Sequence, residues 1–311
     1  MKDKRVIPPL TQRAFVRSLK DRAANAAKIV GVPAAELVDR YYHRRLLARV
    51  FEADPDSWVL KGGQALLVRW PRARYSVDID LLRTSEDATV DSAVDALVAA
   101  ASVDLDDHLT FSHYDTSDET TAGRPTRKVR FEVRFGLQRL TMVSVDVVVT
   151  DHPPLGELVD ERLEAPFTVE ASPWPMIRIW PLEDHIADKI AAMYERHRTA
   201  LLPSTRFKDL VDLVVIAHNA TPSGELTHTA LHAEVRRRRR AGGHLPLPAA
   251  FEIPDPAWVG GYGKQAARIH DLPPDCRTLT GATPLADAFI TPLLQDRPPP
   301  GRWKPAQLRW T

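Results

Sequence analysis

Two aspartates, Asp78 and Asp80, stand two residues apart in YSVDIDLL, whose alternation of polar and apolar residues is that of a strand. A period of two puts both carboxylates side by side on one face of a sheet. Charges that close raise each other's proton affinity unless a cation intervenes, and two hard carboxylates are what magnesium accepts alongside phosphate oxygens and water. Alone, a D-x-D pattern more often marks a solvated strand end than a metal site. Here it follows the K-G-G of Lys61, Gly62 and Gly63, where a strand-to-helix turn would let backbone amides approach a phosphate at a helix amino terminus. Phosphate and metal would then share one site.

A third acid, Asp146, lies mid-strand in SVDVVV among residues that should be buried, where an unpaired carboxylate is costly. In a two-metal site it would bridge a cation to an acceptor hydroxyl, on the acceptor side of an in-line displacement. At a frayed strand end it would do nothing. Ser76, two residues before Asp78, should share its face. Lys189, on an otherwise amphipathic helix, could neutralise charge on a leaving pyrophosphate, or could be one more solvated lysine. Asp209 and Asp212 are three apart and share a helical face, where one could pair with Arg206 instead of acting in the site. The run Arg236, Arg237, Arg238, Arg239 and Arg240 spans more than one turn and displays charge on several faces, which suits an RNA phosphate backbone or an ordinary solvated surface.

The elements that must position these groups can be read from periodicity. Residues 11–29 and 34–53 carry apolar residues at helical spacing, punctuated by Gly31, Pro33 and Pro55. WVLKGG, QALLVRW and YSVDIDLL read as strand, helix and strand. A helix over 86–101 and strands over 108–115, 127–136 and 139–149 follow, which makes an α/β lobe over 1–155 with a mixed sheet and flanking helices. The remainder, 156–311, reads as a mostly α-helical lobe. It opens with a short strand in MIRIW, continues with helices at about 182–199, 205–219 and 226–241, and ends in a Pro-rich tail. That tail is expected to be irregular and pinned by Phe251, Trp258 and Tyr262, which are more often core plugs than stacking platforms for RNA bases.

Composition excludes more than it identifies. Lys and Arg total 42 against 41 Asp and Glu, so net charge carries no hint of nucleic acid and only local clustering counts. The lone Cys276 cannot form an internal disulfide, and His152, His185, His197 and His218 have no metal-ligand spacing. MKDKRVIPPL has no hydrophobic core or cleavage site, and no stretch approaches the roughly 18 apolar residues that span a bilayer, so a cytoplasmic protein without membrane contact is expected.

LKGGQALLVRW followed by RYSVDIDLL, with EDHIADKIAAMYERHR and RFKDLVDLVVIA downstream, resembles the AbiEii family of bacterial nucleotidyltransferase toxins, which includes the MenT toxins. The resemblance covers most of residues 10–240. It implies a polymerase-β-like nucleotidyltransferase core of the α/β (α+β) class, an NTP cosubstrate and one or two Mg2+ ions. It further implies transfer of a pyrimidine NMP to the 3′ acceptor end of tRNA, which blocks aminoacylation. Mapped by motif, Lys61, Gly62 and Gly63 would hold the triphosphate, Asp78 and Asp80 the metals, Lys189 the phosphates and Asp209 a second catalytic cluster, with Asp212 the alternative. Among Arg196, Arg198 and Arg206, whose alignment is blurred by LLPS, Arg206 is ranked first for the nucleotide. Gln64 stands where many relatives carry Thr or Ser, which puts a hydroxyl contact to the γ-phosphate in doubt. The resemblance also implies a cognate antitoxin, in some MenT-like systems a kinase that phosphorylates a serine in the position of Ser76; about −1.5 to −2 charges there would repel NTP. Two other readings stay open: NMP transfer to a protein hydroxyl, and a catalytically silent nucleotide- or partner-binding module.

Overall fold

The computed structural model describes residues 11–84, 88–121, 124–149, 152–169, 173–196, 201–269 and 271–311. The MKDKRVIPPL segment, His197 and Arg198 lie outside the described residues.

Helix α1 (Gln12–Val30) starts where Thr11 accepts a hydrogen bond from the Ala14 amide and stops at Gly31, whose φ of 71° is left-handed. Helix α2 (Ala34–Ala53) follows Pro33 and is buried nearly all round. Four of its buried residues are arginines, Arg40, Arg44, Arg45 and Arg49, and each has a partner that offsets the cost of burial. Arg45 and Arg49 converge on Asp107 at 2.5 and 2.6 Å, while Arg44 donates to the Glu164 carbonyl and Arg40 to Glu36.

Strand β1 (Trp58–Lys61), helix α3 (Gly62–Arg69), strand β2 (Ile79–Arg83), helix α4 (Val90–Ala101) and strands β3 (Leu109–Thr121), β4 (Arg124–Phe135) and β5 (Gln138–Val149) come next, then two short strands, β6 (Val159–Arg162) and β7 (Met176–Ile179). All seven strands form one mixed sheet in the order β3-β4-β5-β2-β1-β7-β6. The strand period explains its two faces. Leu60, Ile79, Leu81, Val145, Val147, Ile177 and Ile179 alternate onto the face that packs against Leu46 and Leu97 of α2 and α4. The opposite face carries the intervening residues, and its apolar content is a small patch of Val59, Leu82 and Trp180.

The sheet does not end at 155. Leu60 of β1 pairs with Ile179 of β7, so the Pro-rich stretch after 155 contributes β7 and the edge strand β6 beside it, and the helical lobe begins with α5 (Leu182–Tyr194). Strand β7 is the one expected in MIRIW, whereas β6, four residues with no buried position, leaves little periodicity to read. Helices α6 (Phe207–Asn219), α7 (Gly224–Arg240), α8 (Trp258–Ala266) and α9 (Leu279–Leu294) surround a second core built on Ile186, Ile190, Leu210, Val214, Phe289 and Ile290. The tail is therefore more regular than expected. Pro284 and Pro292 sit inside α9, three glycines sit in α8, and a hairpin of β8 (Trp303–Lys304) and β9 (Arg309–Trp310) closes the chain. Its aromatics are core plugs: Trp303 donates to the Ala217 carbonyl at 2.6 Å, Trp310 to Phe289 at 3.1 Å and Trp258 to Ser204 at 2.9 Å. No helix among the described residues is long and apolar enough to cross a membrane.

Candidate active site

The register of the sheet assembles one side of the site. Lys61 lies opposite Asp80 in the β1–β2 pair, Asp80 opposite Asp146 in the β2–β5 pair, and Asp146 opposite Lys128 in the β4–β5 pair. Residues directly opposite one another share a face, so these four form a row across the face that α2 and α4 leave open. Lysines flank two central acids. Burial and then Asp146 push Asp80 up to about 6, and burial likewise raises Asp146, against the pull of Lys128. Asp146 Oδ1 lies 3.3 Å from Lys128 Nζ as an ion pair and accepts no directed hydrogen bond.

Asp78 departs from the strand expectation. It sits in a bend just before β2, where Lys128 reaches it at 3.6 Å. Ser76 is likewise outside the strand, so the shared face expected for Ser76 and Asp78 is not formed by β-pairing. The ladder starts only at Ile79, because the chain before it is tied to the helical lobe by Arg74, which donates to both Asp212 oxygens at 3.0 and 2.9 Å. Ser76 meets the site by another route. A Cβ built on Gly63 would stand 2.6 Å from Ser76 Oγ, so the serine packs directly on the start of α3.

The two glycines are required for different reasons. Gly62 has φ +63°, and a Cβ on it would fall 1.8 Å from Asp80 Oδ2; Gly63 has no room for a side chain beside Ser76. No side chain caps α3, which leaves its first-turn amides for a ligand. Gln64 points away from them. Its amide donates to the Ser76 carbonyl at 2.6 Å and meets His43 Nδ1 at 2.9 Å, so it positions the loop.

Helices α5 and α6 supply the other side. Lys189 is buried and donates to Asp209 at 3.1 Å and to Asp212 at 2.6 Å. Arg206 pairs with Asp209 at 2.6 Å. With Arg74, three cations thus meet two carboxylates. Burial would raise both acids, but Lys189 with Arg206 holds Asp209 well below the usual carboxylate range, and Lys189 with Arg74 lowers Asp212. The Lys189 ammonium, which burial would lower, is raised by Asp212 and Asp209. Asp209 faces the cleft and Asp212 stands behind it.

A cavity of about 160 Å³ brings Lys61, Gly62 and Asp80 from the sheet lobe together with Lys189, Arg206 and Asp209 from the helical lobe. The arginine run is less uniform than its sequence implies. Arg238 follows Leu231 and Val235 onto the buried stripe of α7 and is spent on Glu195 and Glu234 at 2.7 and 2.6 Å, so it is not available to RNA. Arg237 pairs with Glu234, and Arg239 donates to the Leu245 carbonyl at 2.7 Å. Sequence reasoning missed Lys128 and Arg74. Lys128 looks like any basic residue of an alternating strand, and Arg74 lies in a loop whose partner is 138 residues away.

The model of a family described as nucleotidyl transferase AbiEii toxin, type IV TA system, matches residues 45–292. Comparison with curated proteins returns no match. Among solved structures, the chain is similar to MenT4, a nucleotidyltransferase toxin from Mycobacterium tuberculosis H37Rv, at 18% identity over 84% of this chain and 92% of that one, with a TM-score of 0.49. It is also similar to a candidate nucleotidyltransferase from H. pylori at 16% identity, 82% and 92% coverage and a TM-score of 0.44. JHP933 from Helicobacter pylori aligns at 15% identity, 85% and 83% coverage and a TM-score of 0.39.

Proposed function

The chain belongs to the AbiEii family of nucleotidyl transferase toxins, and from that premise we propose that it moves a pyrimidine nucleoside monophosphate from an NTP to the 3′ end of tRNA in the cytoplasm. The observation that supports a working enzyme is the single cleft in which Gly62 and Asp80 face Lys189, Arg206 and Asp209. In this reading the first-turn amides of α3 hold the triphosphate, and Lys61, Lys189 and Arg206 compensate its charge, as cations do for a departing pyrophosphate. Asp209 orients Lys189 and Arg206 by pairing with both. Asp146 takes a hydrogen bond from the acceptor hydroxyl and draws its proton away as the oxygen attacks.

Magnesium fits the donor set. Asp80 and Asp146 stand in register on neighbouring strands, and a buried oxygen of Asp146 accepts no directed hydrogen bond. Among the described residues no three such side chains converge into a closed cage. An octahedral ion completed by phosphate oxygens and water needs only one or two carboxylates. Asp80 and Asp146 would hold it, and when bound it would neutralise phosphate charge and make the acceptor hydroxyl more acidic.

A type IV toxin–antitoxin family implies an antitoxin partner. Ser76 is where a kinase antitoxin would act: a phosphate on its Oγ would lie over the start of α3, where the substrate's own phosphates are to bind. Co-expression with the neighbouring gene product should then add 80 Da to the intact mass, and an unchanged mass would count against this control. The transfer itself is tested with total tRNA, magnesium and each α-labelled NTP in turn, beside Asp80→Ala. Label in tRNA with one or two pyrimidine NTPs, lost in the variant, is expected. Label confined to protein would replace RNA by a protein hydroxyl as acceptor, and no label anywhere, with Asp80→Ala leaving every phenotype intact, would point to a silent module.

A further inference from the structure

Beside the catalytic cleft lies a larger cavity of about 680 Å³, walled by α5, α7 and Trp180. Lys61, Asp188 and Arg237 line both spaces, so the two adjoin. Lys61 forms the threshold, its ammonium 3.3 Å from Asp188 and 3.9 Å from the centre of the Trp180 ring.

The charges of this cavity do not cancel. Its three carboxylates are all engaged: Asp184 accepts from the Leu155 and Gly156 amides at 2.9 and 2.8 Å, Asp188 pairs with Lys61, and Glu234 pairs with Arg237 and Arg238. Arg236 and Arg240, both exposed and both lining the cavity, have no acidic partner among the described residues. They are four apart, hence on one helical face and about 6 Å apart along its axis. The uncharged Ala187, Ala230 and Ala233 line the same cavity.

We propose that this cavity is the acceptor-strand subsite, taking the single-stranded nucleotides just before the reactive 3′ hydroxyl, with Arg236 and Arg240 on neighbouring phosphates and the alanines with Trp180 against sugar and base. The inference rests on the reading of RNA as acceptor. A base or ribose of the donor NTP would leave both arginines uncompensated, because neither carries charge, whereas a phosphodiester strand supplies one anion per nucleotide. The size also fits: the 160 Å³ cleft suits phosphates, and the adjoining space is in the range that holds a bound organic ligand.

The test compares wild type, Arg236→Glu/Arg240→Glu, the milder Arg236→Gln/Arg240→Gln, and a charge-matched control on α1, Arg17→Glu/Lys20→Glu. Each is assayed with tRNA and the NTP that wild type uses, alongside filter binding of the RNA over a salt series and binding of a fluorescent NTP analogue without RNA. The expected result is a KM for RNA raised about 10-fold or more in both cavity variants. Losing two phosphate contacts should flatten the salt slope by about 1.4. NTP binding and the turnover at saturating RNA should stay close to wild type, and the control should show none of these changes. Unchanged RNA affinity and salt slope in the cavity variants would overturn the assignment, as would weakened NTP binding with intact RNA binding. Failure of wild type to label any RNA would instead refute the acceptor reading on which the inference stands.

Discussion

Replacing Gly62 by alanine separates what the turn needs from what the chemistry needs. The new Cβ would lie 1.8 Å from Asp80 Oδ2, whereas an ordinary van der Waals contact begins at 3.4 Å, so the carboxylate or the turn must move by about 1.5 Å. The left-handed φ of +63° adds a conformational cost of about 1–2 kcal/mol for any residue with a Cβ. Gly136 isolates that second cost, because it has φ +57° and nothing within 4 Å of a built Cβ. Gly136→Ala should lose about 1–2 kcal/mol in urea unfolding, and Gly62→Ala at least as much because the clash adds to it. Only Gly62→Ala should lose transfer activity, by about 100-fold in kcat, the usual consequence of misplacing a reacting group by an ångström. Steady-state transfer of α-labelled NTP at saturating RNA reads the difference. If Gly62→Ala and Gly136→Ala differ by less than about fivefold, the claim that Asp80 must sit where it does for catalysis is wrong.

Three more outcomes follow from the charges. Asp212→Ala leaves Arg74 and Lys189 buried and short of an anion, and should cost about 3–5 kcal/mol, while Asp209→Ala releases the largely exposed Arg206 and should cost about 1–3 kcal/mol yet abolish transfer; equal losses of stability in urea unfolding would contradict the division. Asp80, raised to about 6 in the fold against about 3.9 unfolded, binds a proton more readily when native, so folding stability drops as pH rises from 4 to 6 and the cost persists above that. Asp80→Asn should therefore stabilise the metal-free protein at pH 7.5, by on the order of 1–2 kcal/mol after solvent screening, and not at pH 4; thermal melts in EDTA that coincide with wild type at pH 7.5 would refute this. Lys128→Met removes the ammonium that neutralises Asp78 and Asp146, so manganese titrated into the nucleotide-free protein should bind about 3- to 10-fold more tightly, and unchanged affinity would deny Lys128 any part in the cation balance.

How much of this was legible depended on whether the information is local. The turn at Gly62 and Gly63, the acids Asp80 and Asp146 and the amphipathic helix of Lys189 each announce themselves within a few residues, through period and composition. Lys128 does not, because its place beside Asp146 is fixed by the β4–β5 register, a pairing across a hairpin. Arg74 is hidden for the same reason, its partner being on α6. The five arginines read as one basic patch along the chain, but a helix turns each by 100° from the last, so Arg238 is buried while Arg236 and Arg240 remain open. Asp78 and Ser76 continue the alternation of β2 in sequence, yet a salt bridge to the other lobe pulls their segment out of the ladder.

That salt bridge bears on how the site is held. The acid row and the cationic cluster belong to different lobes, so their separation depends on the interface between two cores. α3 spans that interface: Ala65 packs in the sheet core, Leu66 and Leu67 pack in the helical core, and Gly62 and Gly63 begin the helix at the phosphate position. Arg74 bound to Asp212 and Gln64 bound to the Ser76 carbonyl fasten the loop that follows α3. A cavity made beneath Leu66 would therefore do more than cost the 2–5 kcal/mol typical of a Leu→Ala change in a core, because it would also loosen the one element that sets the glycine amides against both charge clusters. Leu66→Ala is expected to lower kcat by a larger factor than an equally destabilising Leu293→Ala in α9, whose side chain is as fully buried but lines only the helical core. If the two variants lose activity in proportion to stability alone, measured well below their melting temperatures, α3 is a support like any other and the geometry of the site is fixed elsewhere.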